Sequence, residues 1–432
     1  MRRAKLHSSS NKWLIAGFTF AATALAVMLV ANLSLGDKHI DKRVATLYST
    51  ADEQFARNMN VVFGPALVGG NRAQALVNGD RFFADMLQAI RGAQRTITFE
   101  SYIYWSGETG AEFTQALIER AQAGVKVHLL FDALGSGKID DKSVKAMKAA
   151  GIEVEKYNPW RWNTLARINN RTHRKIMVVD GRIGYTGGAG IGDEWRGDAQ
   201  DPKHWRDTHF RIEGPVVAQV QAAFIENWIE VTGRVLHGEE YFPALPRAGT
   251  QAAQFIVTSP GGGSESMQLM YLMSIAAAAK SIRLSAAYFV PDGVEVRTLV
   301  AAAKRGVRVQ LIVPGPHTDS PLVRRASRST WGELLRAGIE FYEYQPTFFH
   351  CKVMVVDDLW VSVGSTNFDA RSFSVNDEAN LNVYDRDFAA AQARIFEADL
   401  RRSKRVSLED WENRPWTEKL WEHSLGLFSS QL

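Results

Sequence analysis

The chain repeats itself at a long period, and that repetition limits what it can fold into more than any other feature. AQAGVKVHLLFD (121–132) is matched by AAKRGVRVQLIVP (302–314), and AAGIEVEKYNP (149–159) by RAGIEFYEYQP (336–346). AIRGAQRTITFESYIY (89–104) and SIAAAAKSIRLSAAYF (274–289) form a third such pair. Most of these segments read as a helix end, a small-residue stop and a Val/Ile-rich buried strand, the alternation of an α/β sheet. A period this long excludes a solenoid and predicts two copies of one unit. HGEEYFPALPRAGTQ (237–251) has the Pro and Gly of a connector between them. The expected architecture is α/β: two homologous halves, 71–250 and 251–432, each a mixed β-sheet flanked by helices. A pseudo-two-fold axis relates them. The single cysteine, Cys351, excludes an internal disulfide and a Cys-rich zinc module.

Charge is distributed unevenly. The net +4 of the 432-residue chain comes from 51 Lys+Arg and 47 Asp+Glu. Residues 1–43 hold seven Lys/Arg and two Asp, leaving 44 basic and 45 acidic groups for the rest, a net of −1. From Trp13 to Leu35 no charge interrupts WLIAGFTFAATALAVMLVANLSL, 23 residues that at helical rise span a hydrocarbon core of roughly 30 Å. The reading is a basic tail (1–12), one N-terminal transmembrane helix (13–35) and a juxtamembrane linker (36–70). Within that linker Val61–Gly70 reads as a buried turn. The 13–35 segment is longer than the apolar core of a signal peptide and lacks a small-x-small site at its end. Arg2, Arg3, Lys5 and Lys12 precede it and favour a cytoplasmic N-terminus. The expected location is the inner or cell membrane of a bacterial-type cell, single-pass, with the body on the outer, periplasmic face.

Chemistry concentrates in a fourth repeat: HRKIMVVD (173–180) and HCKVMVVD (350–357), both His-x-Lys-x4-Asp. On an extended strand, residues two apart share a face. Each copy therefore presents an imidazole and an ammonium (His173 with Lys175, His350 with Lys352) ahead of a run buried on both sides. Gly187-Gly188-Ala189-Gly190 follows the first copy and Gly364-Ser365-Thr366-Asn367 the second. Small residues there allow close backbone approach, and Ser and Asn can donate to an oxyanion. Asp180 and Asp357 follow the buried run and read as structural, fold-holding ion pairs at the turn.

These residues resemble the signature of the phospholipase D superfamily, His-x-Lys-x4-Asp-x6-Gly-Ser-x-Asn in two copies, over essentially all of 71–432. Tyr102-Ile103-Tyr104, WRDTHFRIEGP (205–215) and AAYFVPD (286–292) are similar to its cardiolipin synthase branch. Gly188 and Gly190 depart from the signature where it has Ser and Asn. On this resemblance Ser365 and Asn367 carry the phosphate-binding role alone.

A phosphodiester needs a nucleophile, a proton donor for the leaving alkoxide and positive charge around the non-bridging oxygens. One histidine forms a phosphohistidine while the other protonates the leaving alcohol, and Lys175 and Lys352 hold the phosphoryl oxygens. The resemblance assigns attack to His173 and proton transfer to His350. Each imidazole also needs an acceptor on its other nitrogen. Asp207, 34 residues after His173, and Glu378, 28 after His350, take equivalent places and are acidic as the family requires. No metal and no cofactor are implied.

The resemblance implies phospholipid substrates, phosphatidylglycerol foremost. The activity expected is a membrane-anchored phosphatidyltransferase making cardiolipin. A hydrolytic phospholipase D, or a membrane-tethered phosphodiesterase or nuclease, is the alternative. The −1 body argues against nucleic acid, whose binders carry a basic footprint. An Arg- and Trp-rich insertion, 160–172, suits an anionic head group or interface. The Gly run 261–263 reads as a plain loop, and the Trp411, Trp416, Trp421 stretch as packing on the first half or as an interfacial contact. Nothing in the sequence sets the oligomeric state.

Overall fold

The computed structural model describes residues 7–34, 40, 42–45, 48–159, 169–259, 266–415 and 418. The first half supplies strands β1 (Val68–Val77), β2 (Thr96–Ser101), β3 (Lys126–Asp132), β4 (Glu153–Tyr157), β5 (Lys175–Val179), β6 (Ile183–Gly187) and β7 (Thr208–Glu213). The second supplies β8 (Gln251–Thr258), β9 (Ser281–Ala286), β10 (Arg308–Pro314), β11 (Glu340–Tyr344), β12 (Lys352–Val356), β13 (Trp360–Gly364), β14 (Asn376–Tyr384) and β15 (Ser403–Val406). They form one sheet in the order β4-β3-β2-β5-β6-β7-β1-β8-β14-β13-β12-β9-β10-β11-β15. Outward from the β1–β8 seam both halves run through equivalent strands, and β15 is an addition at one edge. Strands β2, β3 and β4 are parallel, as are β9, β10 and β11, while β5 and β12 join them antiparallel. The expected duplication of mixed α/β halves is therefore present, with the two sheets fused edge to edge.

The local signals behave alike in both copies. Gly124 ends the helix Glu108–Gln122 at φ +91°, and Gly306 ends Gly293–Lys304 at the same φ. That left-handed conformation suits Gly and turns the chain directly into β3 or β10.

Apolar faces of sheet and helices close three main cores. Phe82, Phe99, Phe113 and Leu129 sit in the first half, and Leu284, Leu311, Trp331 and Phe341 in the second. A third core draws on both halves, setting Ile176, Val178 and Phe210 against Phe255, Val355 and Leu381. The halves share that interior, so they make one body.

Two expectations change. Part of the 36–70 linker is folded: in the helix Glu53–Val62, Phe55 and Met59, spaced i, i+4, enter the second-half core with Phe63. Each such side chain contributes about 2 kcal/mol of burial. The ring of Phe55 meets Trp360 edge-on at 5.1 Å. Val61, expected in a buried turn, lies on the outer face of this helix and is exposed. Trp411 packs on the second half, not the first: its indole lies against Gly332 and donates to the Arg328 carbonyl at 2.8 Å. Trp416 and Trp421 lie outside the described residues, as do 160–168 of the insertion and 260–265 around the Gly run.

At the N-terminus His7–Ser34 is one helix, and its Lys12–Leu29 window has a mean hydropathy of 1.7 with none of it buried. Trp13, Leu14, Phe18 and Phe20 are exposed along it.

Candidate active site

Each histidine sits just before its lysine's strand, at the seam where the halves meet. The two-residue strand Arg171–Thr172 pairs in parallel with Asn376–Asp377 of the other half. The His173 amide then donates to the Asp377 carbonyl at 2.8 Å. The mirrored contact is the His350 amide donating to the Arg206 carbonyl, also at 2.8 Å. Each histidine is thus stitched to the residue preceding the other half's acid. A bidentate ion pair between buried Arg206 and Asp399, 2.8 and 2.7 Å, clamps the same seam.

That stitching decides which carboxylate meets which imidazole. His173 Nδ1 lies 2.9 and 3.0 Å from the two oxygens of Glu378. His350 Nδ1 lies 2.7 Å from Asp207 Oδ2. The spacing had been counted within each half, whereas both pairs cross between halves. With Nδ1 donating to a carboxylate, the neutral tautomer leaves an Nε2 lone pair for chemistry.

Both imidazoles are buried, as are both lysines. Burial pulls His173 down to about 4 against the opposing pull of Glu378. Burial and the Lys352 charge pull His350 down to about 3 despite Asp207. Lys175 falls to about 7 through burial and repulsion from Lys352, and burial lowers Lys352 too. Burial alone would raise Asp207 and Glu378, but their histidine and lysine neighbours outweigh it and hold both below the usual carboxylate range. Lys175 Nζ donates to the His173 carbonyl at 2.9 Å. Lys352 Nζ donates to the His350 carbonyl at 2.9 Å and stands 3.2 Å from both ring nitrogens. In mildly acidic solution the resting charge state is two neutral imidazoles, two ionised carboxylates and two ammonium groups that repel each other, and Lys175 begins to lose its proton near neutrality. An anion between the lysines raises both their proton affinities.

His173, Lys175 and His350 line a cavity of about 530 Å³ with Tyr102, Trp205, Tyr288, Asp319 and Asn367. Aromatic rings wall the imidazoles: Tyr102 meets His173 edge-on at 5.1 Å, and Trp195 meets His350 at 5.4 Å.

Other expected residues take different places. The Ser365 hydroxyl donates to Glu378 Oε2 at 2.5 Å and accepts from the Ala379 amide at 3.0 Å. It holds the carboxylate and is spent there, so the phosphate-binding expectation for Ser365 is replaced by a positioning one. Asn367 does line the cavity. Asp180 and Asp357 are not ion pairs among the described residues. Asp180 accepts from the amides of Gln94, Arg95 and Thr96. Asp357 accepts from those of Ala279, Lys280 and Ser281. Both cap the entrance to β2 or β9 from the turn after the buried strand, at φ +53° and +55°. A short carboxylate reaches consecutive amides there, which a long basic partner across the turn would not satisfy.

The first half solves its missing serine differently. A Cβ on Gly188 would stand 2.3 Å from Asp207 Oδ1. Fully buried Trp195 instead donates its indole N–H to Asp207 Oδ2 at 3.0 Å, and the Thr208 amide donates to Oδ1 at 2.7 Å. Sequence reading missed Trp195. Its signal is a tryptophan in GDEW just after the glycine-rich turn, whose indole N–H needs an acceptor once buried. Of the basic insertion, Arg171 reaches the cavity wall, with Asp132 Oδ1 at 3.9 Å.

Residues 86–228 and 271–400 match the family model described as cardiolipin synthase, phospholipase D-like domain. A cardiolipin synthase of Geobacillus kaustophilus is 36% identical over 365 residues, 84% of this chain and 72% of that relative. A probable cardiolipin synthase of Bacillus subtilis is 37% identical over 363 residues, 83% and 72% of the two chains. Among solved structures, the phosphatidylserine synthase of Haemophilus influenzae superposes with a TM-score of 0.66 at 15% identity. It covers 88% of this chain and 99% of its own, a likeness of fold.

Proposed function

The chain belongs to the family of cardiolipin synthases with phospholipase D-like domains, and from that premise we propose that it is a phosphatidyltransferase making cardiolipin from phosphatidylglycerol. The observation that carries this reading is the pair of imidazoles on one cavity, each tied through Nδ1 to a buried carboxylate of the opposite half.

His173 Nε2 attacks the phosphorus of a donor lipid, forming a P–N bond as the P–O bond to the glycerol head group breaks. As the phosphodiester anion binds, His350 takes up a proton at Nε2 from solvent, and it gives that proton to the departing alkoxide. The approaching phosphodiester anion raises the proton affinity that burial had lowered, which makes His350 competent as an acid. Lys175 and Lys352 stabilise the charge that builds on the non-bridging oxygens. Glu378 and Asp207 keep the rings oriented. In the second half-reaction a hydroxyl of another lipid loses its proton to His350, its oxygen bonds to phosphorus and the P–N bond breaks. Phosphatidyl transfer and hydrolysis differ only in whether alcohol or water takes that last step.

The helix His7–Ser34 serves as a single-pass anchor with its N-terminus in the cytoplasm and the catalytic body outside. Its exposed apolar side chains and the basic residues before it support this. Protease added to intact cells digests the body if this topology holds, and only opened cells permit digestion if it is reversed.

The activity is tested with full-length protein in phosphatidylglycerol vesicles without added metal. The expected products are cardiolipin and free glycerol, lost in both His173→Ala and His350→Ala. Degradation of single-stranded DNA with the lipid untouched overturns the reading.

A further inference from the structure

The two walls of the duplicated cavity are chemically unlike. Lys175 stands opposite Ser101 in the sheet and Lys352 opposite Ala286, which fixes the equivalence of the two loops that follow. Counting forward two residues, Ile103 in the first half takes the place of Tyr288 in the second. The β3 and β10 loops, counted alike, put Gly137 where Asp319 stands. All four line the cavity. One wall is therefore apolar at these positions, and the other carries a phenol and a carboxylate.

The Tyr288 hydroxyl donates to Asp319 Oδ2 at 2.6 Å. The Tyr288 ring stacks on Phe348 at 6.4 Å, and Phe348 meets the His350 ring at 5.4 Å, so the pair lies one ring away from that imidazole. Backbone pairing fixes the arrangement: Phe289 and Phe368 are register partners in parallel two-residue strands, and the Phe368 amide donates to the Tyr288 carbonyl at 3.0 Å. This brings Asn367 onto the same wall. Asn367 is 4% exposed, and its Oδ1 has no hydrogen-bond partner among the described residues. An amide oxygen and a carboxylate can only accept, so neither suits a phosphoryl oxygen. Both call for a donor. Asp319 opens toward solvent and lies close enough to Lys352 for their charges to act on each other. That ammonium disfavours a cationic head group, which leaves a neutral polyol as the donor that fits.

We propose that Tyr288, Asp319 and the Asn367 Oδ1 form the acceptor subsite, which binds the vicinal hydroxyls of the incoming glycerol head group beside His350. This deepens, and rests on, the phosphatidyltransferase reading. A carboxylate holds two hydroxyls of one head group at once, whereas a single water gains only one such bond. The subsite thus directs the phosphohistidine toward alcohol. One head-group hydroxyl gives its proton to His350 as its oxygen bonds to phosphorus and the P–N bond breaks.

The test uses full-length protein in phosphatidylglycerol vesicles and measures cardiolipin against phosphatidic acid for the parent, Asp319→Asn and Tyr288→Phe. Both substitutions keep side-chain size, and Tyr288→Phe retains the ring stacking. Loss of a hydrogen bond to a charged group is worth about tenfold. The cardiolipin-to-phosphatidic-acid ratio is expected to fall by about that factor in Asp319→Asn, and less in Tyr288→Phe. With soluble acceptors the parent's preference for glycerol over 1-propanol disappears in Asp319→Asn. A parent that makes cardiolipin, with both ratios unchanged in both variants, overturns the subsite alone. A parent that makes none overturns the transferase reading and the subsite with it.

Discussion

His173 hydrogen-bonds through Nδ1 to Glu378, which stands 205 residues away in the opposite half of the duplication. The reciprocal bond between His350 and Asp207 spans 143 residues. Neither half can orient its own histidine, so the duplication functions as a unit. Glu378→Gln and Asp207→Asn each leave the ring in place but permit the wrong tautomer, and kcat is expected to fall about 10³–10⁴-fold. In histidine-labelled NMR titrations Glu378→Gln moves the His173 resonance and Asp207→Asn moves that of His350. Movement of the same-half histidine in either variant would overturn the crossed pairing.

Ser365 and Trp195 do equivalent work on the two carboxylates with different donors, a hydroxyl and an indole N–H. Ser365→Ala and Trp195→Phe are expected to lower kcat about tenfold with KM nearly unchanged, since each acts through an acid. A rise in KM for donor lipid as the main effect of Ser365→Ala would return it to a phosphate-binding role.

Restoring the family serine at Gly188 is expected to harm the enzyme. Its Cβ would sit 2.3 Å from Asp207 Oδ1, which the Thr208 amide holds, on a carboxylate whose Oδ2 is bonded to His350 and Trp195. Displacing that carboxylate misaligns His350, so Gly188→Ser loses activity in steady-state kinetics. A gain would mean the site tolerates the serine and that the glycine is incidental.

Acid is expected to destabilise the fold over a defined window. Both imidazoles fall from an ordinary 6.5, His173 to about 4 and His350 to about 3, so between those limits the unfolded chain binds more protons. Stability therefore drops as pH falls from about 6.5 toward 3, and the lowered Asp207 and Glu378 act with the same sign. Thermal midpoints measured against pH should flatten in the His173→Asn, His350→Asn double variant. On the alkaline side, Lys175 near 7 predicts that kcat/KM declines above neutrality. The limb in kcat lies higher, because bound phosphodiester favours the ammonium. Coincident limbs would show that substrate does not pair with Lys175.

Asp180 and Asp357 predict a stability effect without a chemical one. Asp357→Ala removes the acceptor for three amides and places Ala at φ +55°, at a cost of about 2–3 kcal/mol. Asp357→Asn, which tolerates that φ and keeps one oxygen, costs less. Urea unfolding measures the difference, and turnover per folded molecule should stay at the parent value. A loss of kcat in the folded Asp357→Asn protein would give the residue a chemical role.

Much of the fold was legible because its signals are local. Gly124 and Gly306 stop equivalent helices, and the apolar runs after Lys175 and Lys352 mark equivalent buried strands. The part read as a linker was misjudged for the opposite reason. Phe55, Met59 and Phe63 declare a buried face by their spacing, but nothing nearby says that the core they enter belongs to the second half.

The two His-x-Lys pairs, the duplicated α/β plan and the apolar N-terminal helix were determined by sequence, since each depends on residue type and short-range periodicity. Tertiary structure alone decided which acid orients which histidine, that Ser365 is spent on Glu378, and that an indole replaces the missing serine. These depend on how two chemically similar halves meet across a seam. Equivalent spacing within each half makes the crossed and uncrossed pairings indistinguishable along the chain. Only the backbone bonds from His173 to Asp377 and from His350 to Arg206 break that degeneracy.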